Sequence, residues 1–223
     1  GLLSINMAVA AAGAMVIVNT VVFVQAQFGL SETETAYALA AFGSGSMIAA
    51  LLLPSILDKY SDRSVMLAGA AVLVAGTAFS AIIDNYEQLL LIWFALGCGY
   101  SLALTPSGKL LKRSVHEVDR PAIFAAQFAL SHACWLITYP LAGWLGSMFG
   151  LSLVSLILAS LAVFGFVSAI ALWPSEDPDV IEHVHPELSP DHPHLAKGEI
   201  LPDHRHAHPY VIDDLHFMWP HGR

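Results

Sequence analysis

The distribution of charge along this chain constrains its fold more than any other feature. Residues 1–31 contain no Asp, Glu, Lys or Arg, and neither do 35–57, 64–83, 88–108 or 121–175. A hydrocarbon layer about 30 Å thick takes roughly 20 apolar residues per helix to cross. The first four runs suit one crossing each. The fifth is too long for one crossing and divides at "GSMFGLS", Gly146 to Ser152. Six spanning helices are therefore expected, at about 3–27, 35–57, 65–84, 88–110, 122–147 and 151–173. A water-soluble all-α domain would need a charged face on each helix, and these runs have none. With 56% apolar and 12% charged residues overall, the chain reads as an all-α membrane protein.

The chain begins at Gly1 with no basic leader ahead of an apolar stretch, so a signal peptide is not expected. Starting almost inside a helix, it reads as a fragment of a longer protein. The two cysteines, Cys98 and Cys134, both lie in expected spans, which points to neither a disulfide framework nor a thiolate metal site.

Basic residues sit on one side of the expected topology. Lys59 and Arg63 follow the second span; Lys109, Lys112, Arg113 and Arg120 follow the fourth. The other connections, "SETET", "DNYEQ" and "GSMFGLS", hold none. Cytoplasmic loops collect Lys and Arg, so 58–63 and 109–120 are assigned to the cytoplasm. Parity then places the start of the first helix and everything after Trp173 there too. The expected location is the plasma (inner) membrane, multi-pass, with a cytoplasmic tail. Two domains follow: residues 1–173 as a transmembrane bundle and 174–223 as an acidic tail.

"PSILDKYSDRSVMLAG", Pro54 to Gly69, joins the second and third spans through a very short loop. It resembles the loop signature of the major facilitator superfamily, in which Gly, three residues, Asp, a basic residue, one residue and Gly precede further basic residues. Asp58, Lys59 and Arg63 match; Pro54 replaces the first glycine, Ser61 the second, and Asp62 a basic residue. A copy degraded in this way is similar to the repeat of the motif in the second half of the family. "YPLAGWLG", Tyr139 to Gly146, is similar to the Gly- and Pro-rich stretch of the family's fifth helix and its counterpart, helix eleven. The resemblance covers about residues 1–173. It implies one six-helix half with a 3+3 inverted repeat, the C-terminal half, whose partner is the N-terminal half of the same transporter. It also implies that Asp58 and Arg63 act as a conformational latch. Independently of the family, a carboxylate at a helix end can face the positive N-terminus of a neighbouring helix, and an arginine beside it can form a charge-assisted hydrogen bond. The plainer alternative is a pair of solvated loop charges that only set topology.

Transporters of this architecture bind substrate near the bilayer midplane, so polar groups far from helix ends are candidates. His132, in "QFALSHACW", is the only Asp, Glu, Lys, Arg or His well inside a span, with Gln127 and Ser131 close by. Ionisable groups at that depth face a cavity or a partner, and histidine exchanges a proton near neutral pH. A neutral imidazole serving as packing glue is the alternative. Asn19 is the deep polar residue of the first span and Tyr100 lies in the fourth; with His132 and Gln127 they form the candidate substrate and proton pathway. Pro106 is expected to break or bend the fourth helix, and "FGSGSM", Phe42 to Met47, to permit close helix packing. The tryptophans read as packing or interface anchors.

From Pro174 the composition flips. Ten acids face three basic residues, and nine of the eleven histidines lie here: His183, His185, His192, His194, His204, His206, His208, His216 and His221. So little to bury implies a largely disordered tail. In an extended chain alternate residues share a face, which sets His204, His206 and His208 together. "HVH", "DHPH" and "DDLH" add imidazoles with carboxylates nearby. Imidazole with oxygen support suits Zn, Ni, Co or Cu(II). The expectation is several loose metal sites on His183, His185, His192, His194, His204, His206, His208 and His216 rather than one cage. A pH-responsive segment, or an acidic extension that binds metal as a tag does, are the alternatives. "YVIDDLHFMWP", Tyr210 to Pro220, is apolar enough to dock on the cytoplasmic face or a partner. Some facilitator-superfamily exporters linked to nickel resistance end in His-rich tails, and this chain resembles them in that respect.

The functional expectation is a secondary transporter driving proton-coupled efflux of a small solute or metal ion, with divalent Ni, Co or Zn as the sharpest version. An exporter of small organic solutes with an accessory metal-binding tail is the rival. A membrane metal sensor or scaffold is an alternative of another class. Neither a nucleophile–base pair nor an HExxH zinc signature is present, so an enzyme is not expected. The expected surroundings are a lipid bilayer, with no nucleic acid and no required cofactor.

Overall fold

The computed structural model describes residues 1–175, 180–185, 188–189, 192–195, 199–200 and 205–216. Among them are α1 (Leu2–Val21), continued by a π-helical stretch at Val22–Gln27, α2 (Glu32–Leu57) and α3 (Asp62–Phe79). Then come α4 (Tyr86–Leu104), α5 (Ser107–Ser114), α6 (Arg120–Phe149) and α7 (Leu151–Leu172). Six helical stretches are long and apolar enough to cross a membrane: Leu2–Gln27, Glu32–Leu57, Asp62–Ile82, Tyr86–Ser114, Glu117–Phe149 and Leu151–Leu172. These are the six expected crossings, with ends displaced by a few residues.

Local chemistry sets the boundaries. The Ser31 side chain accepts from the Thr33 N–H while Glu34 accepts from the Ser31 N–H, closing a capping box ahead of α2. Ser61 caps α3 by accepting from Ser64 N, and Asn85 caps α4 by accepting from Gln88 N. Pro106 lies in the turn that separates α4 from α5. Between α6 and α7 the chain turns at Gly150, whose φ of 83° is open to glycine and costly for a residue with a Cβ.

The chain divides into two compact units, one of residues 1–108 and 125–173, the other of residues 109–124 and 174–223. The segment 109–124 thus groups with the tail rather than with the bundle. It carries Lys109, Lys112, Arg113 and Arg120, and buries Leu110 and Leu111.

Within the helical unit, α2 packs on α4, α4 on α3, and α1 on α7. Glycines allow the approach. A Cβ on Gly97 would collide with the Phe42 carbonyl oxygen, and one on Gly45 with the Phe94 carbonyl oxygen, so the α2 and α4 backbones touch on both sides. On the facing side of α4, a Cβ on Gly69 would lie 2.7 Å from the Gly99 carbonyl oxygen. A Cβ on Gly165 of α7 would lie 2.5 Å from the Ser4 carbonyl oxygen of α1. Small residues at crossings are the usual substitute for a hydrophobic driving force where the surroundings are as apolar as the side chains. "FGSGSM" is therefore split in use: Gly45 makes the crossing, while nothing lies within 4 Å of a Cβ on Gly43.

Polar groups tie the same contacts. Trp93 Nε1 donates to Thr20 Oγ1 at 2.7 Å and its ring meets Phe23 edge-on at 5.6 Å, which makes Trp93 a buried packing residue. Ser46 and Ser101 hydroxyls meet at 3.1 Å between α2 and α4. α6 joins α1 through Thr138 Oγ1, which donates to the Ala10 carbonyl at 3.2 Å, and through Trp135, seated over Gly13. Much of α6 remains uncovered, including Phe128, Leu136 and Trp144.

In the other unit β1 (Val180–Val184), β2 (Glu199–Ile200) and β3 (Arg205–Pro209) form an antiparallel sheet in the order β1–β3–β2. His183 pairs with His206 and Ile181 with His208. Arg205 Nη1 reaches Glu182 Oε1 at 2.6 Å across β1 and β3.

The crossing geometry yields a first expectation. Gly97→Val forces the α2 and α4 backbones apart, and overpacking of this kind costs about 1–3 kcal/mol. Thermal unfolding of detergent-purified protein should show a lowered midpoint for Gly97→Val and no loss for Gly43→Ala, which sits in open space.

Candidate functional site

The four pathway candidates occupy different environments. Asn19 is 2% exposed; its Nδ2 lies 3.6 Å from Met15 Sδ, and its Oδ1 would stand 3.1 Å from a Cβ on Gly146. It is sealed into packing between α1 and α6. Tyr100 of α4 is half-buried, its ring edge-on to Phe42 of α2 at 5.6 Å. Gln127 is half-buried on α6. His132 stands on the exposed face of α6, stacked on Phe128 at 3.9 Å between ring centroids. Its Nδ1 lies 2.8 Å from the Phe128 carbonyl oxygen. That oxygen can only accept, so Nδ1 carries the hydrogen and Nε2 is the basic nitrogen. The structure thus separates a buried amide from an imidazole on an open face, a distinction that helical periodicity alone does not make.

Asp58 and Arg63 are not brought together as an ion pair. Asp58 ends α2, and Arg63 Nε donates instead to the Trp173 carbonyl at 3.2 Å, at the C-terminal end of α7. A guanidinium at that end satisfies an orphan carbonyl and complements the helix dipole.

In the unit made of 109–124 and the tail, six histidines converge. The two-residue period of β3 puts His206 and His208 on one face, and antiparallel pairing puts His183 of β1 beside them. His185 follows β1 directly, His194 sits in a turn, and His216 ends the turn at 213–215. Two overlapping quartets result, His183, His185, His194 and His206, and His183, His194, His208 and His216. In each, one nitrogen per residue lies within 4.8 Å of the others. The closest approaches join Nε2 atoms: His216 to His183 at 3.0 Å, His216 to His185 at 3.2 Å, and His208 to His194 at 3.3 Å. His192 stays outside both quartets, and its Nδ1 accepts from the His194 N–H at 3.2 Å. His204 and His221 lie outside the described residues.

The ring orientations are set by acceptors. His183 Nδ1 faces the Ile181 carbonyl at 3.0 Å, His208 Nδ1 the Pro209 carbonyl at 2.8 Å, and His216 Nδ1 the Asp213 carboxylate at 2.8 Å. Each of these Nδ1 atoms therefore bears hydrogen, leaving the Nε2 lone pairs directed into the cluster. Burial lowers the His183 pKa to about 4, outweighing the Ile181 carbonyl and aided by neighbouring imidazoles. Burial and the same neighbours lower His194 to about 4, and His206 and His216 are also lowered, burial first. Neutral imidazole is the ligand form. For Asp213, burial opposes ionisation, but the Leu215 N–H and the His116 and His216 side chains prevail and bring it to about 2.

Sequence reasoning missed three members of this arrangement. His116, from the segment between α5 and α6, reaches Asp213 Oδ2 with Nε2 at 3.3 Å. Asp213 was visible only as part of "DDLH", with no partner assigned. Tyr210 is buried, its ring 4.5 Å from that of His216. The only available signal was the paired acid and imidazole of "DDLH"; nothing local marks His116.

A family model described as Major Facilitator Superfamily matches residues 3–206. The chain belongs to that superfamily, a family of membrane transporters, and its six apolar helices make it an integral membrane protein. No curated protein matches the chain.

The depressed histidines make the tail sensitive to acid. His183 and His194 protonate near 6.5 when unfolded and near 4 when folded, so the unfolded tail binds more protons between those values. Stability is complete above about pH 6.5 and is lost as pH falls toward 4. Hydrogen exchange of the β3 amides, followed in chelator-treated protein, should be slow at pH 7.5 and markedly faster at pH 5.

Proposed function

We propose that this chain is the C-terminal half of a proton-coupled exporter, working with the N-terminal half of the same transporter across the plasma (inner) membrane. In this reading the 58–63 and 109–120 segments face the cytoplasm, supported by the Lys and Arg they carry, and the parity of six crossings puts the tail on the same side. His132 carries the reading. It is the one imidazole deep in a span, it stands on an open face of α6, and its Nε2 is the basic atom. In this reading His132 accepts and releases the coupling proton, and Gln127 and Tyr100 supply hydrogen bonds near the solute. Asn19 serves the stiffness of the wall. Asp58 and Arg63 act at the cytoplasmic end, with Arg63 holding the end of α7 in one state and releasing it in the other.

A divalent metal ion such as Ni, Co or Zn is the proposed cargo, supported by the collected imidazoles of the tail. A second reading has its own observation. No Asp or Glu lies deep in any span, so His132 is the only deep metal ligand of those types, which favours a small organic solute. A non-transporting metal sensor or scaffold is the third reading.

Growth of a strain lacking the whole gene, tested across metals and toxic organics, separates these readings. Sensitivity to Ni, Co or Zn that is restored by the intact gene supports metal export. Sensitivity to organics alone assigns the organic cargo, and no sensitivity to either points to the sensor. His132→Ala in the complementing gene should abolish proton-driven efflux while leaving the protein in the membrane at normal levels; undiminished efflux would remove His132 from the coupling role.

A further inference from the structure

Two lone pairs confront each other in the histidine cluster. His183 and His216 each spend Nδ1–H on an oxygen that can only accept, yet their Nε2 atoms stand 3.0 Å apart. Without a positive centre between them this contact is repulsive. A core assembled from imidazoles is therefore incomplete as a purely organic core.

The spacing fits a metal polyhedron. Two nitrogens bound about 2.1 Å from one ion are about 3.4 Å apart in a tetrahedron and about 3.0 Å apart at a right angle. Within the second quartet the Nε2 separations of 3.0 Å, His216 to His183, and 3.3 Å, His208 to His194, fall in that interval. The quartets share His183 and His194, and His183 has only Nε2 to give because Nδ1 serves Ile181. The two quartets are thus alternatives around one ion. Three of the four Nε2 donors of the second quartet, on His183, His208 and His216, are oriented in advance by oxygen acceptors, which favours that set.

We infer that the tail holds a single resident divalent first-row metal ion, Zn, Ni or Co, bound by His183, His194, His208 and His216, and that this ion fastens the tail to the segment between α5 and α6. The fastening runs through Asp213, a positioning residue. Its Oδ1 orients His216, its Oδ2 meets His116, and the neighbouring Ile212 N–H donates to the Ser114 carbonyl at 3.0 Å. Ordering His216 on the ion orders Asp213, and with it the contacts to Ser114 and His116. This goes beyond the transport reading, since a resident ion is required whatever the cargo.

The test uses the full chain in detergent, stripped with chelator and titrated with Zn(II) or Co(II) alone. Bound metal is measured by elemental analysis, and the Co(II) visible spectrum is followed to saturation. One ion per chain is expected, with trypsin cleavage at Lys112, Arg113 and Arg205 slowed once it binds. His183→Ala should lose both the ion and the metal-dependent protection. Asp213→Asn should bind about tenfold more weakly and lose protection at Lys112 and Arg113. Several equivalent weak ions per chain, undiminished binding in His183→Ala, or binding without any change in cleavage at Lys112 and Arg113 would each overturn the inference. The wild-type stoichiometry and cleavage pattern stand even if a variant fails to fold. Growth assays report cargo and this titration reports occupancy, so a chain that holds one ion but confers no metal resistance refutes metal export alone.

Discussion

Inside a hydrocarbon layer no water is available to a backbone N–H or C=O, and everything in the spanning unit follows from satisfying those groups within each segment. Helices meet that demand alone, which leaves them no hydrophobic driving force toward one another. Contact then depends on how closely two backbones approach. Gly45 and Gly97 let α2 and α4 touch, and Gly69 and Gly99 do the same for α3 and α4. Hydroxyls and an indole add directional ties, as in Trp93 to Thr20 and Thr138 to Ala10. α6 carries fewer such devices, and it is the helix that presents His132, Phe128 and Trp144 on an open face.

The tail solves a different problem. Among its described residues the buried ones are His185, His194, His206, His208, His216 and Tyr210, so imidazoles stand where aliphatic side chains ordinarily fill a core. Neutral histidine is compact and can stack edge to face, as His183 does with His208 and His216. The cost is a surplus of ring nitrogens. Main-chain carbonyls and Asp213 consume some of them, and the remaining Nε2 atoms gather at one point. A metal ion is the chemical species that turns such a surplus into bonds.

Much of the spanning unit was legible because its signal is local. Runs without charge report spans directly, and "SETE", Ser61 and Asn85 mark helix starts through contacts three or fewer residues away. Facing is less legible. Asn19 and His132 are both single polar residues in apolar helices, yet one is buried and the other exposed, because the neighbours that decide it come from distant helices. Arg63 illustrates the same limit: its partner is the Trp173 carbonyl, 110 residues away. The rule that a polar, proline-rich tail has too little to bury weighs its own apolar residues alone. It does not anticipate that histidines become the buried material, or that residues 109–124 join the same unit.

The amino-acid sequence by itself determined that this chain crosses a membrane six times and carries a histidine-rich segment after the sixth crossing. Both are properties of composition and of neighbours along the chain, where the energetic terms act over a few residues. Only tertiary structure decided which glycines become crossings, which polar group in the spans is sealed and which is open, and which imidazoles meet. Those outcomes depend on strand register and helix packing between residues far apart in sequence, where a displacement of one position turns a side chain from the inside to the outside.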